Sequence, residues 1–68
     1  MKVFVVTKAK PMEAEIYETV KSSAKEAEKY IRQKFPNARK DDPFGNVTSF
    51  FCKEKDVISL MFIREENV

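Results

Sequence analysis

A chain of 68 residues with 43% hydrophobic and 35% charged residues has the composition of one small globular domain, which we expect over residues 1–68. Its single cysteine, Cys52, and its lack of histidine exclude an internal disulfide, a tetrahedral zinc site and Ser-His or Cys-His catalysis. The net charge of +2 does not indicate a particular class of partner. No apolar run approaches the ~20 residues of a membrane helix. We therefore expect a cytoplasmic protein that binds no metal, no cofactor and no membrane.

Two strands are predicted at the start of the chain. The segment from Lys2 to Lys8 is rich in β-branched residues, which favour strands. The segment from Ala14 to Val20 alternates with a period of two, so Ile16 and Val20 should lie on one face and Tyr17 on the other. Two such segments with a short break between them predict a β-hairpin.

The strongest local signal is the start of a helix. Ser23 and Glu26 have the spacing of a capping box, in which the serine side chain accepts a hydrogen bond from the Glu26 amide and the Glu26 side chain reaches back to the Ser23 amide. Good helix formers follow as far as Phe35, and Pro36 should end the helix. Apolar residues at spacings of three and four predict one buried stripe; they are Ala24, Ala27, Tyr30, Ile31 and Phe35.

The second half of the chain predicts a loop and two more strands. Asn37 to Asn46 is polar, and its Asp42-Pro43-Phe44-Gly45 segment has the composition of a type I turn. Val47 to Lys53 and Val57 to Arg64 then predict a third and a fourth strand. The predicted fold is α+β with the order ββαββ, in which one helix packs on one face of a four-stranded sheet. The first and fourth strands are the most apolar, so we expect them to be central neighbours.

Basic side chains concentrate in the middle of the chain. Residues 21–40 hold seven basic and two acidic residues. On a helix face and just beyond its end, such cations could contact phosphates or an acidic partner; they are Lys21, Lys25, Lys29, Arg32, Lys34, Arg39 and Lys40. A solvated helix face is the simpler interpretation, and the sequence contains no recognised nucleic-acid-binding motif.

The opening of the chain carries a resemblance. The strand at Met1 to Thr7, the hairpin and the capped helix from Ser23 to Ile31 resemble small uncharacterised proteins of bacteria and their prophages. The resemblance covers roughly the first half of the chain and implies a bacterial or phage origin and an accessory role. It implies no activity and no site residues.

The leading functional hypothesis is therefore a small non-enzymatic protein-interaction module that is homodimeric. A short helix covers only one face of a sheet, and we expect it to pack on the richer face, which holds Ile58, Leu60 and Phe62. The other face would then be left for self-association. Strand alternation assigns seven apolar residues to that face: Val3, Val5, Tyr17, Phe51, Val57, Met61 and Ile63. The alternatives are weak nucleic-acid binding by the basic helix, inhibition of a host protein through the acidic last third, and a loop that covers the free face with Phe44 as its anchor.

Overall fold

A computed structural model describes residues 1–68, all except the side chain of Glu54. The elements follow the order ββαβββ: β1 (Lys2–Ala9), β2 (Ile16–Lys21), α1 (Ala24–Lys34), β3 (Arg39–Lys40), β4 (Val47–Glu54) and β5 (Val57–Asn67). The five strands form an antiparallel sheet in the order β2-β1-β5-β4-β3.

The fold class and most of the strand pairing agree with the prediction from the sequence. The α+β class, the first hairpin and the pairing of β1 with β5 at the middle of the sheet are confirmed. The predicted four-stranded ββαββ order was wrong in detail, because the segment expected to be a loop contains β3. This strand pairs only Arg39 with Phe51 and Lys40 with Phe50, and two residues are too few to show any hydrophobic period.

The helix begins at the predicted residue, and the structure shows the serine half of the capping box. Ser23 is the N-cap, and its Oγ accepts a hydrogen bond from the Glu26 amide at 3.1 Å. The helix ends at Lys34, one residue before the predicted end, and Phe35 is the C-cap. In the part of the chain that the structure describes, no helix has the length and apolar character needed to cross a membrane.

The core lies between α1 and one face of the sheet. From the helix, Ala27 and Ile31 are fully buried and Phe35 nearly so, while Ala24 is exposed. The sheet contributes alternate residues of three strands, and the segment after the helix adds one alanine. These sheet and loop residues are Val6, Phe50, Cys52, Met61, Ile63 and Ala38.

A β-bulge in β2 changes which residues share a face. Thr19 pairs with Val6 and Tyr17 with Thr7, so Glu18 between them has no partner of its own. Residues that pair directly lie on the same face. Val20 therefore lies on the face opposite the helix, and the expectation that it shares a face with Ile16 was wrong.

The facing of β5 also differs from the prediction. Met61 is fully buried and Ile63 nearly so, and both pack under the helix. Strand alternation places Val57 in phase with them. The expectation that these three residues lie on the free face was wrong. A shift of one residue along a strand moves every side chain to the other face, so the opposite set of β5 lies on the free face.

Candidate interaction surface

The sheet face opposite α1 carries many apolar side chains, and we call it the open face. Its members follow from alternation and from the paired residues of the ladders. The apolar members are Val3, Val5 and Ala9 of β1, Tyr17 and Val20 of β2, Val47 and Phe51 of β4, and Ile58, Leu60 and Phe62 of β5. The polar members are Thr7, Arg39, Ser49, Lys53, Arg64 and Glu66. Within the described residues, α1 packs on the other face and the chain offers no second helix to cover this one.

Exposure shows that the open face is in contact with solvent. Tyr17 is 61% exposed, and Val20, Ile58 and Leu60 lie near 40%. These residues lie on β2 at one edge and on the central strand β5, and β1 connects them with the partly exposed Val5 and Ala9 and with the polar Thr7 between Tyr17 and Phe62. Contiguous apolar patches of this extent commonly mark interaction sites.

The structure places four of the seven predicted self-association residues on the open face. They are Val3, Val5, Tyr17 and Phe51, whereas Val57, Met61 and Ile63 lie on the helix side. The residues that sequence reasoning assigned to the core instead, Ile58, Leu60 and Phe62, form the middle of the open face. The sequence carries no signal for this choice, because Arg64 is in phase with one set and Glu65 is in phase with Met61 and Ile63.

Phe44 stands beside the open face and does not cover it. Phe44 and Val47 exchange two backbone hydrogen bonds of 2.8 and 3.1 Å around a tight turn, in which Gly45 has a φ of +62°. A glycine at this position supplies the positive φ that a two-residue hairpin turn requires. Phe44 is 89% exposed, so the alternative in which this loop covers the sheet with Phe44 as its anchor was wrong.

A small cavity opens at the far end of the open face, and we call it the end cavity. Its volume is ≈ 180 Å³. It is bounded by Ala9, Lys10, Pro11, Phe51, Ile58 and Leu60. With one lysine among otherwise apolar residues, it is suited to an apolar group.

The seven predicted basic residues do not form one continuous surface. Lys25, Lys29, Arg32 and Lys40 border a shallow depression around Glu28. The carboxylate of Glu28 accepts hydrogen bonds from Arg32 Nε and Lys40 Nζ, each at 3.1 Å. These contacts hold the pKa of Glu28 below its usual value, with the Arg32 bond the largest cause. Part of the positive charge on this surface is therefore balanced.

The other three cations lie elsewhere. Lys34 forms an ion pair with Glu18, and Lys21 lies 5.5 Å from the centre of the Tyr30 ring. Arg39 lies 5.2 Å from the centre of the Phe51 ring, at the opposite edge of the sheet from Lys21. The predicted basic cluster is thus divided between the helix and both edges of the sheet.

The β2 bulge joins the sheet to the helix. Glu18 Oε1 accepts hydrogen bonds from Lys34 Nζ and, at 3.2 Å, from Tyr30 Oη. The Lys34 bond is the main cause that lowers the pKa of Glu18, and the same bond raises the pKa of Lys34. This contact explains why Tyr30 is only half-buried on the predicted helix stripe: its ring packs on the core and its hydroxyl reaches the bulge.

Groups that could carry chemistry are few in the described residues. Cys52 is fully buried in the core, and burial raises the pKa of its thiol, which disfavours the reactive thiolate. No group of three or more potential metal-ligating side chains occurs among the residues that the structure describes. A larger cavity beside the start of α1, of about 250 Å³, has Glu28 and Lys40 in its wall, and these two already pair with each other.

Comparison with known proteins gives no match: no family model matches the chain, and neither a curated protein nor a solved structure does so.

Proposed function

We propose that this chain is a protein-interaction module whose working form is a homodimer that buries the open face. The observation that carries the proposal is the set of exposed apolar side chains on the side of the sheet that α1 does not cover. Burial of such a surface is the main favourable contribution to protein association. A second copy presents the same surface, so a two-fold arrangement would cover both at once.

The size of the open face fits a small dimer interface. The five strands hold 8, 6, 2, 8 and 11 residues, and each residue covers about 16 Å² of a flat sheet (~3.3 Å along the strand by ~4.8 Å across it), which gives about 500–550 Å² per chain. Two copies would then bury about 1,000 Å², which is the lower bound expected of a specific interface. A dimer would also add buried apolar surface to a small core, which one short helix covers and in which two of the buried residues are alanines.

The test is the oligomeric state of the intact chain and of matched variants, measured by sedimentation equilibrium. We expect a dimer at micromolar concentrations. Phe62→Lys adds a positive charge at the middle of the open face and should give a monomer. Gln33→Lys adds the same charge on the exposed side of α1 and should remain dimeric.

Circular dichroism shows whether the Phe62 variant retains its fold. If it does not, Tyr17→Lys replaces it, because Tyr17 is 61% exposed on an edge strand and tolerates a polar side chain more easily. A wild-type chain that stays monomeric at ~1 mM would overturn the proposal, since that concentration corresponds to only about 4 kcal/mol of association. A folded Phe62 variant that dimerises as well as wild type would also overturn it.

A further inference from the structure

We infer that the dimer is held by a reciprocal contact, in which Phe44 of each copy fills the end cavity of the other. This inference rests on the proposed function and specifies its central contact. It combines two features that the fold does not use within one chain: an exposed aromatic ring on a hydrogen-bonded turn and an apolar cavity.

Phe44 has the properties of an anchor residue. Its ring is almost fully exposed, which is unfavourable for a large apolar side chain without a partner. The turn that presents it is fixed by the two hydrogen bonds to Val47, so little conformational freedom would be lost when the ring binds. Buried aromatic side chains of this kind contribute most to the affinity of protein interfaces.

The end cavity matches a phenyl ring in size and chemistry. Its volume of ≈ 180 Å³ compares with the ~150 Å³ of an apolar protein cavity that binds benzene. The Phe51 ring and the Ile58 and Leu60 side chains offer aromatic and aliphatic contacts.

The positions of the two features require a second chain. Phe44 pairs with Val47, so its side chain lies on the open-face side at one end of the sheet. The cavity begins at Phe51, four residues further along β4, which is about 13 Å away. Phe44 therefore cannot fill the cavity of its own chain. A second copy that faces the first and is turned end over end brings each ring to the other cavity, which gives two equal contacts.

Phe44→Ala is the direct test, with sedimentation equilibrium as the measurement. We expect the dissociation constant to rise about 100-fold, because two contacts of about tenfold each are lost. Ile16→Ala is the matched control: Ile16 is 57% exposed on β2 but lies on the helix side, so its loss should leave the constant within about twofold.

A mixing experiment tests whether the contact is reciprocal. Ala9→Phe places a ring of the same chain in the end cavity without adding charge to the open face and, like Phe44→Ala, removes both contacts from its own homodimer. A mixed dimer of the two variants retains one intact contact, between Phe44 of the Ala9 variant and the open cavity of the Phe44 variant. We therefore expect the mixture to associate more tightly than either variant alone.

The outcomes separate this inference from the proposed function. If Phe62→Lys abolishes the dimer while Phe44→Ala leaves it within twofold of wild type, the open face is the interface and the Phe44 contact is refuted. A mixture that associates no better than its two components refutes the reciprocal contact. A monomeric wild-type chain refutes both proposals, and the open face and Phe44 would then be left for a different partner.

Discussion

The hydrogen bond at the start of α1 should make a measurable contribution to stability. The Ser23 side chain satisfies the Glu26 amide, which has no partner within the helix. Removal of a serine cap costs about 1 kcal/mol, within a range of about 0.5–2 kcal/mol. The entropy of unfolding is about 2.1 cal/mol/K per residue, so a 68-residue domain changes its Tm by about 7 °C for each 1 kcal/mol.

Ser23→Ala should therefore lower the Tm by about 4–14 °C in thermal unfolding followed by circular dichroism. Ser22→Ala is the control, because Ser22 is exposed, precedes the cap and should change the Tm by much less. Ser23→Asp should retain most of the wild-type Tm, since aspartate is an equally good cap. Equal Tm values for the wild type and Ser23→Ala would refute the assignment of the cap, as would equal losses in the Ser22 and Ser23 variants.

Two further predictions concern the charged residues. The ion pairs of Glu18 and Glu28 lower both carboxyl pKa values in the folded chain, so the stability they contribute is present above the usual value near 4.5 and is lost as the pH falls through the lower folded values. The free energy of unfolding, measured with urea at pH 7 and pH 3, should depend less on pH in the double variant Glu18→Gln with Glu28→Gln. The control is Glu13→Gln, because Glu13 is exposed, and it should keep the pH dependence of the wild type. Equal pH dependence in the wild type and both variants would contradict the ion-pair explanation. If the exposed basic side of the helix binds nucleic acid, oligonucleotide binding should weaken steeply with salt and be lost in Lys25→Glu with Lys29→Glu; no binding at low salt would exclude that alternative.

Local signals predicted the elements of this fold well. The helix start depends on Ser23 and Glu26, which are three residues apart, and the structure confirms that contact. The first hairpin depends on two adjacent β-rich segments and is also confirmed. Interactions that are close in sequence leave a pattern in the sequence, because the same few residues both specify and form the structure.

The facing of the strands could not be predicted in the same way. β5 is apolar on both faces, so its alternation does not show which set packs under the helix. The larger set, with Leu60 and Phe62, was the natural choice for the core, but the helix covers the set with Met61 and Ile63. This choice depends on the fit of α1 against three strands at once, which is a property of the folded chain.

The open face, rather than the edges of the sheet, remains available for a partner. A bare edge strand offers unpaired backbone groups to another chain, and proteins often limit this with bulges or very short edge strands. This sheet has both devices: β2 carries the bulge at Glu18, and β3 at the other edge has only two residues. The bulge has a second effect, since it turns Glu18 towards Lys34 and leaves both Tyr17 and Val20 on the open face. The unpaired Glu18 thus connects the helix to the sheet, makes the β2 edge irregular and extends the apolar surface. The irregular edge and the larger apolar surface favour association face to face over the addition of a strand.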